Sequence, residues 1–254
     1  MTLVAGAIRS AEASREPWKS SAYFCGVLPP DLYNDLADHF PPSRFFNKDR
    51  RANAGQVGRQ DADKRYKCSV FDILNIKNRA NIASMTKQWP KFPKAQQVWK
   101  RAVAVLFSNE VKAELFKKFG VRKRALTRDF RIQNDHDGFG IGVHPDNHKK
   151  ILTFQFYLPT RKNPAETIYT YGTCLHTKDQ HQRRDKRTGY SVCEKKMAYL
   201  PNTAYAFPVT RGSYHSVEKA KAQGARLTFM LNWYSHVMEG AVPAQNSLLS
   251  KIFG

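Results

Sequence analysis

The chain has no run approaching the roughly 20 apolar residues that a membrane-spanning helix requires. Its opening stretch, Met1 to Ser10, has an apolar run of only a few residues before Arg9, too short for a secretory core. The expectation is therefore a cytoplasmic protein with no membrane contact. Cysteine is scarce: Cys25, Cys68, Cys174 and Cys193 form no close pair. That spacing excludes a zinc ribbon and a thioredoxin-like redox motif, and a cytoplasmic setting predicts four reduced thiols. Internal repeats and low-complexity linkers are also absent. Acidic residues are few, with 21 Asp+Glu against 42 Lys+Arg and a net charge of +21.

What is present excludes disorder. A hydrophobic fraction of 41% and 12% aromatics give the chain enough apolar surface for a sizeable core despite its charge. The charge is uneven: residues 43–124 hold 21 Lys+Arg against 6 Asp+Glu. Three readings of that excess stay open. It forms a nucleic-acid or polyanion surface, it attracts a small anionic substrate, or it is a solvated face without a partner.

The spacing predicts one domain with helices first and strands after. Pro29-Pro30 and Pro41-Pro42 bracket a helix from Asp31 to Phe40. Asn47 to Lys67 lacks apolar periodicity and reads as a surface loop. Lys94 to Phe107 places Val98, Ala102, Val105 and Leu106 on one stripe. Ser108 can cap a following helix through Val111, Leu115 and Phe119, which stops at Gly120. After Arg124 the pattern turns extended. Strands are predicted over Phe130–Gln133, Phe139–Val143, Ile151–Leu158, Thr167–Leu175, Thr203–Phe207 and Leu227–Tyr234. Residues 1–124 thus form a helical, basic support and 125–236 a mainly β core, an α+β arrangement of jelly-roll type braced by helices. A basic insertion, residues 176–196, interrupts the core, and 237–254 form a tail.

The chemistry concentrates at Gly142-Val143-His144-Pro145-Asp146. Residues two apart in an extended chain point to the same face, so His144 and Asp146 can converge. His215 follows near another strand. Two histidines and one carboxylate on one face of a metal leave open positions opposite, which suits non-haem Fe(II) oxygen chemistry. Eleven residues on, Arg226 and Thr228 share a strand face and together match one carboxylate. Other histidines compete weakly. His136 sits in a turn, His144 and His148 have a helical spacing in a strand-like context, and His39, His176, His181 and His236 read as structural or solvent-facing.

This order of His-x-Asp, His and Arg resembles the Fe(II)/2-oxoglutarate-dependent oxygenases, and in style their prolyl-hydroxylase-like branch. The resemblance extends to Lys150 to Leu158, a hydrophobic strand ending in Tyr157-Leu158. It also takes in Pro201 to Phe207 before the distal histidine, and the opening Leu28-Pro29-Pro30-Asp31-Leu32-Tyr33. It implies a distorted double-stranded β-helix, cupin-like, with His144, Asp146 and His215 holding Fe(II). Arg226, Thr228 and Tyr157 would hold 2-oxoglutarate, with O2 as the second co-substrate. The implied reaction is hydroxylation of a small, anionic metabolite or a peptidyl side chain. Arg131 and Gln133 are substrate candidates, as are Arg183 and Arg184 in the insertion, which reads as a basic lid. The alternatives are a nucleic-acid-directed member of the superfamily and a non-catalytic polyanion-binding module. Asp146 stands where halogenating relatives carry a small residue, which favours hydroxylation. Asn232 stands where alkylation-repair members carry a second arginine, which weighs against repair.

Overall fold

A computed structural model describes residues 2–18, 20–48, 64–159, 170–177, 192–219, 224–238 and 241–243. Helix α1 (Leu3–Ser10) opens the chain, its N-terminus capped by the Thr2 hydroxyl, which accepts from the Ala5 amide. Strands β1 (Ala13–Ser14) and β2 (Ser21–Cys25) precede α2 (Pro30–Asp38). Strands β3 (Asn47–Lys48) and β4 (Arg65–Ser69) lead into α3 (Val70–Leu74), α4 (Arg79–Gln88), α5 (Phe92–Leu106) and α6 (Asn109–Lys118). The second half is built of β5 (Thr127–Asp135), β6 (Ile141–His144), β7 (Lys150–Tyr157), β8 (Thr173–His176) and β9 (Lys195–Met197). It continues with β10 (Thr203–Pro208), β11 (Tyr214–Val217), β12 (Arg226–Tyr234) and β13 (Val242–Pro243).

Two antiparallel sheets result. The larger has nine strands in the order β1-β2-β10-β7-β12-β5-β4-β3, with β13 also on β5, and the smaller runs β6-β11-β8-β9. One face of the large sheet is covered by helices. Val98, Ala102 and Leu106 of α5 are buried, as their stripe predicts, and Val105 is partly so. Between them the fully buried Trp99 meets Phe130 and Phe229 edge-on, with ring centroids 6.1 and 5.8 Å apart. Ser108 caps α6 by accepting from the Val111 amide. Just beyond that helix Gly120 takes φ 59°, a conformation that a side chain would oppose.

The model corrects several expectations. The segment from Asn47 to Lys67 is not all loop: its two ends are strands β3 and β4, paired with each other, and β4 lies on β5. Two of the charges that argued for a loop, Arg65 and Lys67, form one side of β4, where they alternate with Tyr66 and Cys68. Helices α1, α3 and α4 were not expected: α1 and α3 span only eight and five residues, and α4 buries no side chain. The insertion starts and ends in strands, since His176 is buried in β8 while Lys195 and Lys196 lie in β9, its antiparallel partner. Residues 178–191, with Arg183 and Arg184, lie outside the described residues. Cysteine also departs from expectation. Cys174 and Cys193 form a disulfide, their Cα atoms 5.3 Å apart, because the return of the chain into β9 carries Cys193 back beside β8. Cys25 and Cys68 are free. Among the described residues no helix is long and apolar enough to cross a membrane.

Two predictions follow from this packing. Trp99→Ala removes a fully buried indole and should lower unfolding free energy by about 3–5 kcal/mol, read as a shifted denaturant midpoint. Thiol titration of denatured, unreduced protein should find Cys25 and Cys68 alone; four reactive thiols would show that the Cys174–Cys193 bridge does not form.

Candidate metal centre

The smaller sheet brings the two histidines together. β11 runs antiparallel to β6 with His215 directly opposite His144, and the rings lie 4.4 Å apart. Asp146 follows two residues after the end of β6. One ligand atom from each of His144, Asp146 and His215 falls within 4.8 Å of the others. The donor set fits a divalent ion. His144 Nδ1 lies 2.8 Å from the Gly142 carbonyl and His215 Nδ1 3.1 Å from that of Ser213. A carbonyl only accepts, so each Nδ1 carries a proton, which leaves Nε2 as the ligand atom of each ring in its neutral form. Burial, the largest influence, lowers the pKa of His215, which favours that neutral form. Behind His215 stand Phe207 and Trp18, an apolar wall, with centroids 5.2 and 6.4 Å away.

Asp146 is held from the other side. Its carboxylate accepts from the Lys150 ammonium at 2.9 Å and from the Thr153 hydroxyl at 2.8 Å. Burial pushes its pKa up, but Lys150, His215 and His144 override that and hold it well below the usual carboxylate range. The Thr153 hydroxyl is also 3.1 Å from Asn232 Oδ1 and, with one proton, serves one acceptor at a time. The Asn232 amide donates to Asp129, which also accepts from Tyr234 and pairs with Arg131.

From this centre a cleft of 190 Å³ leads across the large sheet to Arg226. Its floor is ordered in cross-strand rows. Arg65, Asp135 and Arg226 stand side by side on β4, β5 and β12; the next row is Lys67, Gln133, Thr228 and Tyr157. The row after that is Ser69, Arg131, Met230, Gln155 and Tyr205. Arg226 is 1% exposed and fully engaged along its length. Its Nε donates to the Tyr171 carbonyl at 2.7 Å, one terminal nitrogen to Asp135 at 2.9 Å and the other to Thr173 Oγ1 at 3.3 Å. Asp135, 0% exposed, also takes both forks of Arg65, at 2.6 and 2.9 Å. These contacts use three of the five guanidinium N–H groups, so donors remain for a ligand carboxylate.

The other predicted residues fall as follows. Arg131 and Gln133 line the cleft. Thr228 donates to Gln133 Oε1 at 3.1 Å. Tyr157 lies one layer behind, its hydroxyl 3.0 Å from Thr173 Oγ1 and 3.1 Å from the Met197 carbonyl, with its ring 5.5 Å from the Arg226 guanidinium. Sequence reasoning missed Arg65, Lys67, Asp135, Thr153, Gln155, Thr173 and Tyr205. One signal was available: Asp129, Arg131, Gln133 and Asp135 put a polar residue at every second position of β5, the mark of a strand whose inner face is a site. Tyr205 donates to Gln155 at 2.6 Å, and burial pushes its pKa up, so it stays a neutral donor.

No family model matches this sequence, and no curated protein matches it. Solved structures do. A prolyl hydroxylase from Trichoplax adhaerens, in complex with a peptide fragment of the hypoxia inducible factor oxygen degradation domain, aligns with a TM-score of 0.54 at 14% identity. That alignment covers 85% of this chain and 83% of the other. A Pseudomonas putida prolyl-4-hydroxylase aligns with a TM-score of 0.47 at 11% identity, over 92% and 99%. A Burkholderia pseudomallei oxidoreductase of the 2OG-Fe(II) oxygenase family aligns with a TM-score of 0.37 at 15% identity, over 55% and 57%. The first of these likenesses shows that the fold of this chain is similar to that of a prolyl hydroxylase.

Proposed function

We propose that this chain is an Fe(II)- and 2-oxoglutarate-dependent dioxygenase built on a distorted double-stranded β-helix. Its substrate is a small anionic metabolite or a peptidyl side chain, which it hydroxylates. One observation supports this reading above the others: two histidines and a carboxylate converge at one end of a cleft whose other end is a buried arginine.

Each residue has a role on this reading. His144, Asp146 and His215 hold the metal on one face and leave the opposite face open. Iron with 2-oxoglutarate and O2 supplies the oxidation, with CO2 and succinate as co-products. Arg226 takes the distal carboxylate of 2-oxoglutarate, and Thr228 and Tyr157 fix the polar surface around it. Lys150 and Thr153 orient Asp146. Phe207 and Trp18 keep water from the rear of His215. The nucleic-acid and polyanion readings have no support beyond the charge itself: the lysines and arginines of α4 to α6 are mostly exposed and stand apart from the cleft.

Anaerobic protein mixed with Fe(II) and 2-oxoglutarate should show a weak visible metal-to-ligand charge-transfer band. His215→Ala should lose both the band and 2-oxoglutarate-dependent succinate formation while keeping its far-ultraviolet dichroism; full turnover in that variant would refute the ligand assignment. Arg226→Ala should raise the 2-oxoglutarate requirement about tenfold or more, since a lost charge partner is worth upwards of about 1.4 kcal/mol. Arg226→Lys, which keeps a cation beside Asp135, should fall between the two. Fe(II) affinity without co-substrate should not move. An unchanged titration would shift the anchor to Lys150.

A further inference from the structure

A second and larger cavity, of 890 Å³, shares no lining residue with the cleft. It begins at the end of α6. Gly120, at φ 59°, turns the chain back there. The Val121 amide donates to the Phe116 carbonyl at 2.9 Å, and the Gly120 amide to that of Lys117 at 3.2 Å. The turn keeps Phe119 buried and Val121 half-buried, and leaves Arg122 and Lys123 exposed. All four line the cavity.

The rest of the wall comes from distant parts of the chain. Trp18, between β1 and β2, is buried, and its indole N–H donates to the His176 carbonyl at 2.7 Å. Its ring lines this cavity and also stands against His215. Ile151 of β7 and Val209, just after β10, are tied by the Val209 amide, which donates to the Ile151 carbonyl at 3.1 Å. Next to them the Ser213 hydroxyl donates to the Thr210 carbonyl at 2.8 Å and closes a short loop. Walls held by backbone and indole hydrogen bonds are in place before a ligand arrives, which lowers the cost of binding.

Two properties of the lining select the ligand. Its body is apolar, formed by Pro17, Trp18, Phe119, Val121, Ile151 and Val209. Its charge has one sign: Lys118, Arg122 and Lys123 line it and, among the described residues, no Asp or Glu does. Lys118 donates to the Arg9 and Ala11 carbonyls, which fixes its ammonium in place. The volume lies within the roughly 300–1,000 Å³ typical of sites for small organic molecules. We infer that this cavity binds an amphipathic anion, an alkyl or aryl body carrying one carboxylate. The body packs on Trp18, Ile151 and Val209, and the carboxylate sits beside Arg122 and Lys123. The site is separate from the metal cleft and does not depend on the dioxygenase reading.

The test uses the full chain and decanoate, below its micelle concentration and at constant ionic strength, in isothermal titration calorimetry with indole fluorescence in parallel. Decanoate should bind one to one and change the emission, and Trp18→Phe should lose most of that change. Decyltrimethylammonium, a chain of the same length with the opposite charge, should bind about tenfold more weakly or worse. Arg122→Gln combined with Lys123→Gln should weaken decanoate about tenfold, the combined effect of two exposed cations. Val121→Asp, which sets a carboxylate against the apolar body, should weaken it at least about tenfold. The charge variants sit at exposed positions and carry the test if Val121→Asp does not fold. N-oxalylglycine with Mn(II), directed at the metal cleft, should leave decanoate bound. Absence of saturable binding, equal affinity for the two charges, a double variant that binds like the parent, or displacement by N-oxalylglycine would each overturn the site.

Discussion

Strand β12 lies antiparallel between β5, which it pairs along nine residues, and β7, which it pairs along seven, and its register decides what the cleft contains. Side chains alternate along a strand, so a shift by one residue would send Arg226, Thr228, Met230 and Asn232 to the helix side. It would bring Leu227, Phe229, Leu231 and Trp233 into the cleft in their place. Phe229 stacks on Phe156, with ring centroids 4.4 Å apart, and meets Trp99 and Phe130 on the helical side. The aromatic core therefore fixes the polar face: each ring that must be buried under α5 locks its polar neighbour towards the metal centre.

That polar face would be unstable if its ions stood alone. A fully buried guanidinium is tolerable only beside a counter-charge. Asp135 supplies it in the same row, and Arg65 compensates the second lone-pair edge of Asp135. The row Arg65–Asp135–Arg226 thus carries one net positive charge and a fixed geometry. A ligand carboxylate entering it meets an arginine already aimed by three hydrogen bonds, so little ordering of the arginine remains to be done at binding. Asp146, Lys150 and Thr153 repeat the device at the other end.

Much of this was legible before any coordinates. The His144–Asp146 pair lies far in sequence from His215 and Arg226, but each residue sits on or beside a strand with the two-residue period, and their order narrows the chemistry. Helix α5 and the cap at Ser108 could be read from apolar stripes and capping rules. What could not be read was partnership across strands. Arg65 and Lys67 lie in a highly charged segment whose periodicity is masked by flanking charges, so β4 resembled a loop. Asp135 stands out from the other acidic residues only once β4 and β12 are seen on either side of it. The Cys174–Cys193 pair depends on β9 returning to β8, which no spacing rule reveals.

Asn232 shows how one departure from a familiar pattern becomes intelligible. In place of a second arginine it offers a neutral amide with a donor and an acceptor on opposite branches. The donor goes to Asp129 and the acceptor faces Thr153. An arginine has no acceptor, so it could not face the Thr153 hydroxyl as an acceptor does, and it would add a second cation beside the one Asp129 already holds. The amide instead links Asp146, through Thr153, to Asp129 and thence to Arg131. Asp146 and Arg131 are therefore joined by four consecutive polar contacts.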